Sequence, residues 1–188
     1  MKKLMVALLL VLVSSTAFAQ VPTIGIYDDV DYTVCFGDLV PYVQKEIFVV
    51  AWLPPDIADI TAVEFKIDNL PPAGADGIIT PAWNSDLVIG DVGWDISIAW
   101  PGPQAGPYVL IGSLSFLMIN DTWIGLDHVM MVMAGMDCDC LVVVDDNFVE
   151  HTAEGGKYTF NCSDPEQCGC FEDIPTEATS WGSVKALY

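Results

Sequence analysis

The sequence predicts an all-β protein, a two-layer antiparallel sandwich of about nine strands stapled by disulfides. Three observations predict it. Apolar and polar residues alternate with a period of two in window after window. Turn clusters rich in Pro and Gly separate those windows at short intervals. No window sustains the 3.6-residue spacing of an amphipathic helix.

In chain order, Met1 to about Ala19 reads as a cleavable secretory signal. It has basic Lys2-Lys3, an apolar run from Leu4 to Val13, and Ala17-Phe18-Ala19 before Gln20. That run is too short for a bilayer core, which takes ~20 residues. Charges, Gly or Pro interrupt every later apolar run. No integral membrane segment is therefore expected after signal cleavage, and the protein is expected to be secreted, at the cell surface or in a periplasm. Residues 20–162 read as the sandwich domain, and residues 163–188 as an acidic, Cys- and Pro-bearing C-terminal extension. A chain of this size can bury about 70% of its unfolded surface in one domain.

Strands are predicted at Thr23–Tyr27, Tyr32–Phe36 and Ile47–Leu53. A half-buried strand follows, in which Val63, Phe65 and Ile67 alternate with Glu64, Lys66 and Asp68. Leu87–Ile89, Trp94–Trp100, Tyr108–Met118, His128–Met133, Leu141–Val144 and Lys157–Asn161 complete the set. Pro54-Pro55, Pro71-Pro72, Gly74-Ala75-Asp76-Gly77, Pro101-Gly102-Pro103, Gly106-Pro107 and Gly155-Gly156 punctuate them. A short helical turn is expected near Pro55 to Ile60 and another in the last residues. Strands so short and so punctuated suit an immunoglobulin-like or jelly-roll sandwich.

Beyond the signal, four lysines (Lys45, Lys66, Lys157, Lys185) and no arginine stand against 26 acids, leaving a charge of −22. Such a field repels phosphate backbones and anionic headgroups, and without arginine there is no bidentate fork for phosphate. Nucleic acid is excluded as a partner. Cations, neutral sugars and basic protein surfaces remain.

Cys35, Cys138, Cys140, Cys162, Cys168 and Cys170 form an even set in an exported chain, which predicts disulfides. Cys138-x-Cys140 and Cys168-x-Cys170 could supply four thiolates to zinc. However, their spacing departs from C-x2-4-C, and an oxidising compartment consumes thiols. No metal site is assigned. On a strand, the two members of a C-x-C pair point to opposite faces, so each is expected to bond elsewhere. Cys140 is expected to join Cys162 across a hairpin centred on His151. Cys168 and Cys170 would then join the extension to the body, at Cys35 and Cys138.

No catalytic constellation emerges. Gly112-Ser113-Leu114-Ser115 breaks the G-x-S-x-G pattern. His128 begins an apolar strand, and His151 falls in a predicted hairpin loop beside Glu150 and Glu154. Glycoside hydrolysis needs only two carboxylates about 5 to 10 Å apart, and Glu46, Glu64 and Glu150 point off predicted strands. Yet Glu64 shares a solvated face with Lys66 and Asp68, and a chain this acidic brings carboxylates together by chance. The protein is expected not to be an enzyme and to need no cofactor. Asp28-Asp29-x-Asp31, Asp137-x-Asp139 and Asp145-Asp146-Asn147 offer the oxygens that a structural Ca²⁺ takes, although none matches the D-x-[DN]-x-[DN]-G loop. Trp83 and Trp123, in loop-like settings, are the candidate ligand contacts. Trp94 and Trp100 stand ~20 Å apart along one strand face, and Ile96 and Ile98 between them mark that face as core.

Two segments resemble the cohesin and carbohydrate-binding-module group of β-sandwiches. Ile60-Thr61-Ala62-Val63-Glu64-Phe65-Lys66-Ile67-Asp68-Asn69-Leu70 is similar to their early x-A-x-F-x-I strand. Val109-Leu110-Ile111-Gly112-Ser113-Leu114-Ser115-Phe116 is similar to their later G-x-L-x-x-[IVL]-x-F strand. The ending Trp-Gly-Ser-Val-Lys-Ala-Leu-Tyr also resembles that of exported proteins from environmental bacteria. These resemblances imply a fold and a compartment, and no binding residues. The cysteines and Met130-Met131-Val132-Met133 depart from cohesins.

The reading that follows is a non-catalytic secreted or cell-surface binding or adhesion module with a protein or glycan ligand. One alternative is a self-assembling extracellular structural subunit, joined through an edge strand or the tail Ser180 to Tyr188. Another is a small secreted carbohydrate-active enzyme.

Overall fold

The computed structural model describes residues 20–71, 73–74, 76–123, 125–164 and 167–171. The predicted signal and the tail from Trp181 to Tyr188 lie outside the described residues. Thirteen strands are present among the described residues: β1 (Thr23–Tyr27), β2 (Phe36–Gly37), β3 (Gln44–Trp52), β4 (Asp59–Asp68), β5 (Gly77–Trp83), β6 (Leu87–Asp91), β7 (Asp95–Ala105), β8 (Tyr108–Met118), β9 (His128–Met133), β10 (Val142–Val144), β11 (Glu150–Thr152), β12 (Glu154–Gly155) and β13 (Lys157–Phe160). One sheet runs β12-β1-β3-β8-β5. The other runs β11-β10-β4-β9-β13-β2, with β7 paired to β4 and β6 to β7. The predicted two-layer sandwich is the observed one.

The period-two pattern places the core. Val63, Phe65 and Ile67 are buried, whereas Glu64 and Lys66 are half-buried and Asp68 is exposed. At the centre Phe116 of β8 meets Phe160 of β13 edge-on at 5.0 Å, and Phe160 meets Tyr158 at 4.9 Å. These rings lock one sheet to the other. The Tyr158 hydroxyl donates to Asp28 Oδ1 at 2.7 Å, and Lys45 Nζ lies 2.5 Å from the same oxygen. Burial is the main cause that pushes the Tyr158 hydroxyl far above the usual phenol range, with the Asp28 carboxylate adding to it.

Several elements differ from expectation. Tyr32 to Cys35 belong to a turn rather than a strand. Asp29 accepts from the Thr33 and Val34 N–H groups at 2.9 and 2.8 Å, closing the turn before β2 begins. Trp94 sits in the turn between β6 and β7, 56% exposed, while Val92 two residues earlier takes the inward position. Pro101-Gly102-Pro103 lies within β7 instead of ending it. The register jumps there from Ala62↔Ala99 to Ile60↔Gln104, so the prolines occupy a bulge where no ladder N–H is needed. Residues 55–56 form a turn closed by Ile57 N–H to Pro54 O at 3.0 Å, and Asp59 and Ile60 already belong to β4, with no helical turn between. β5, unpredicted, pairs with β8 alone and therefore tolerates Pro81.

The disulfides are Cys35–Cys170, Cys138–Cys140 and Cys162–Cys168. The expected Cys140–Cys162 pair is overturned. Residues 136–138 form a turn rather than a strand, and Asp139 just after it has a left-handed φ of 57°, so the side chains of Cys138 and Cys140 converge. Moreover, β10 and β11 pair over only three residues before the chain leaves to pair β12 with β1 and β13 with β9. Cys140 and Cys162 therefore end in different places. The join between the C-terminal segment and Cys35 is made by Cys170, while Cys168 closes a short loop with Cys162 instead of bonding Cys35 or Cys138.

Candidate functional site on the outer face of the second sheet

The residues singled out from the sequence are dispersed. Trp83 ends β5, half-buried and edge-on to Phe65 at 6.1 Å. Trp123 is half-buried in the turn before β9, with its ring edge-on to His128 at 4.6 Å. Glu46 accepts from Ser113 Oγ at 2.7 Å on the first sheet, whereas Glu64 belongs to the second. Those two carboxylates do not share a site. His151 lies in β11, not a hairpin loop, with Nε2 3.0 Å from Asp145 Oδ2. His128 is buried beside Asn69 O, and burial holds its imidazole below the ordinary value.

The acidic clusters are largely committed to local structure. Asp28 is taken by Lys45 and Tyr158, and Asp29 by its own turn. Asp145 accepts from Asn147 and Val149 N–H groups, both at 2.9 Å, and from His151. The His151 hydrogen bond is the main cause that holds the Asp145 carboxyl below its ordinary value.

The register brings together a different set. Two rows cross five strands of the second sheet. One is Leu87–Ala99–Ala62–Val144–Glu150, and the next is Ile89–Ser97–Glu64–Val142–Thr152. All ten side chains point away from the core, because their strand neighbours Val88, Ile98, Val63 and Val143 point inward. The middle of the first row, Ala99–Ala62–Val144, is small or aliphatic, whereas the second row centres on the half-buried Glu64 between Ser97 and Val142. Leu87 and Ile89 at one flank are 57% and 66% exposed, and Phe148 in the β10–β11 turn beyond the other flank is 81% exposed. Leu87 and Ile89 are two positions apart on one strand and form an exposed apolar pair, with Phe148 at the opposite end of the rows. The parity of Leu87 and Ile89 against inward Val88, and an apolar Phe148-Val149 pair straight after three polar turn residues, were the available sequence signals. Which strands share the rows was not.

An acidic loop borders this face. The segment between β9 and β10 folds over β4 and β7. Trp94 Nε1 donates to Asp137 Oδ1 at 3.2 Å, and the Asp137 N–H to Asp95 Oδ2 at 3.0 Å. Gly135 is required there, since a Cβ would sit 2.2 Å from Asp95 Oδ1. Glu64 Oε1 lies 2.8 Å from Cys138 Sγ, and the carboxylate and both sulfurs fall within 4.8 Å of one another. With the sulfurs bonded together, the carboxylate is the remaining ligand of that group, which does not suffice to hold a metal.

Desolvation, and then the charges of Asp95, Glu150 and Asp137, hold the Glu64 carboxyl above its ordinary value. The folded state therefore binds the proton more tightly than the unfolded chain. Stability falls as pH rises from the ordinary carboxyl value through the folded one. Glu64→Gln is expected to raise the melting temperature at pH 7 and to lose that gain below about pH 4. Melting curves of both proteins across pH 3 to 8 check this, and a gain independent of pH would refute the assignment.

No protein-family model matches the sequence, and no curated protein matches it. Among solved structures the chain is similar to cohesin modules. With a cohesin module from a Clostridium perfringens family 33 glycoside hydrolase it shares 13% identity over 75% of this chain and 96% of that one, at a TM-score of 0.48. With a solution structure from Clostridium acetobutylicum it shares 15% over 78% and 94%, also at 0.48. With the sixth cohesin of Acetivibrio cellulolyticus scaffoldin B it shares 10% over 76% and 99%, at 0.45.

Proposed function

We propose that the protein is a non-catalytic exported module that binds a protein partner on the outer face of β6, β7, β4, β10 and β11. The observation that carries this reading is the pair of cross-strand rows flanked by exposed Leu87, Ile89 and Phe148. Five strands at ~4.8 Å spacing make an open surface ~19 Å across, which suits a protein partner better than an enclosed small molecule. Leu87 and Ile89 supply the apolar anchors. Glu64 at the centre of the face, with Asp137 and Glu150 beside it, calls for a partner that presents basic groups, so association should slow as salt rises. The separation of Glu46 from Glu64 onto different sheets argues against those two carboxylates acting as a hydrolytic pair.

The double substitution Leu87→Asp and Ile89→Asp in the full chain tests the reading. Both side chains are exposed, so the melting temperature should stay within a few degrees. A partner captured from native culture medium by the unsubstituted protein should be lost. Undiminished capture would move the interface elsewhere. Sedimentation analysis of the same pair of proteins separates the rival in which the chain binds itself, since concentration-dependent assembly that disappears on substitution would make the partner a second copy. Turnover of a polysaccharide panel that vanishes in Glu64→Gln would instead identify an enzyme.

A further inference from the structure

The opposite sheet carries an aromatic groove that the proposed binding face does not use. Tyr27 of β1, Trp52 of β3 and Tyr108 of β8 all point outward from the first sheet, with Thr23 beside Trp52 and Trp52 opposite Tyr108. Gly25 leaves room for the Tyr27 ring to lie across β1, because a Cβ there would meet the Tyr27 hydroxyl oxygen at 2.6 Å. Tyr32 closes the groove from the β1–β2 turn, its centroid 5.9 Å from Tyr27 and 5.6 Å from Tyr108. Phe171, 43% exposed, forms another wall and is held there by the adjacent Cys35–Cys170 disulfide. The groove is open to solvent and holds about 360 Å³, room for a side chain with its flanking backbone but not for a folded element.

Three features decide what such a groove takes. The rings are inclined to one another, at 53° between Tyr27 and Tyr32 and 44° between Tyr32 and Tyr108. They form a concave cup of ring faces, not the coplanar platform on which a sugar ring stacks. Among the described residues the polar lining is Thr23, the tyrosine hydroxyls and the Trp52 indole N–H, with no amide or carboxylate side chain that would fix a sugar's hydroxyls. No Lys among the described residues lines the groove, and Asp29 is near enough for its charge to act on the Tyr27 hydroxyl. Tyr32 is also held at a left-handed φ of 58°, a conformation that non-glycine residues adopt rarely and that clusters at ligand clamps. A cup of aromatic faces in an acidic protein attracts cations through the ring quadrupoles.

We propose that this groove binds a positively charged side chain, lysine or arginine, presented by a protein partner. The apolar stem lies along Trp52 and Phe171, and the charged head sits between the faces of Tyr32, Tyr108 and Tyr27. The parity of the sequence holds the signal in retrospect. Tyr27 alternates against inward Ile24 and Ile26, and Trp52 against inward Val49 and Ala51, so two large aromatics face outward on neighbouring strands.

The test is an NMR titration of the ¹⁵N-labelled full chain, following the Trp52 indole N–H assigned with Trp52→Phe. The probes are two pentapeptides that differ only in a central lysine or norleucine. The lysine peptide should produce a saturable shift, weakening several-fold between about 50 and 500 mM salt, and the norleucine peptide should produce none. Tyr108→Leu should weaken lysine binding at least tenfold while leaving the melting temperature within a few degrees. If that variant does not fold, the lysine-against-norleucine and salt comparisons on the unsubstituted chain still decide the matter. An equal response to norleucine, a response to cello-oligosaccharides in place of lysine, or no shift with any probe would each overturn the proposal. None of these outcomes bears on Leu87 and Ile89, so the two sites stand or fall separately.

Discussion

Phe116→Ala is expected to lower the unfolding free energy by about 3–5 kcal/mol, the largest effect of any single truncation considered. Phe116 is fully buried on the inner face of β8, and its ring meets Phe160 of the opposite sheet edge-on at 5.0 Å. Removing the ring takes away its transfer free energy and leaves a cavity that the two ladders cannot close, because backbone hydrogen bonds hold β8 between β3 and β5. A domain with about 5–15 kcal/mol in total would lose a large share of its stability. Phe148→Ala is the matched control. That ring is 81% exposed, so its loss should change stability by less than about 0.5 kcal/mol. Urea unfolding of the three proteins measures both. A loss below about 1 kcal/mol for Phe116→Ala would mean that the two sheets do not meet there.

The second large effect belongs to Cys35–Cys170. This bridge spans 135 positions, against 2 for Cys138–Cys140 and 6 for Cys162–Cys168. Chain-entropy reasoning makes the benefit of a disulfide grow with the loop it closes, reaching roughly 5 kcal/mol for a loop of this length. Replacing Cys35 and Cys170 by serine is therefore expected to cost about 2–5 kcal/mol. The same change at Cys138 and Cys140 should cost less than about 2 kcal/mol, since a ring that small restricts the unfolded chain little. Denaturation of the two double variants gives the ranking, and a reversed order would sink it. Peptide mapping without reduction checks the connectivity directly, and a Cys140–Cys162 cross-link would contradict the fold as described.

Both effects trace to features of different legibility. The inward position of Phe116 followed from alternation over Leu114–Met118, whereas the register shift opposite Val49 and Val50, which turns Val109 and Ile111 inward and Tyr108 outward, did not. The disulfide partners did not follow, because C-x-C was read on a strand and the chain instead turns there through Asp139. β5 was missed for a related reason. Its residues Ile78, Thr80 and Ala82 lie on an exposed edge, so no buried face imposed a pattern, and Pro81 argued against a strand. The β-branched run Ile78-Ile79-Thr80 was the signal available for it.

By itself the sequence determined that this chain is a strand-rich sandwich with outward acids, and which face of most strands is buried, because the alternation of side chains along a strand is a local property. Only the tertiary structure decided which strands are neighbours and in what register, and so which outward residues meet. Leu87 and Val144 share a row across four strands, and Tyr27, Trp52 and Tyr108 share a groove, through hydrogen bonds between segments far apart in the chain. Pairing of that kind depends on the whole fold at once, and no window of residues carries it.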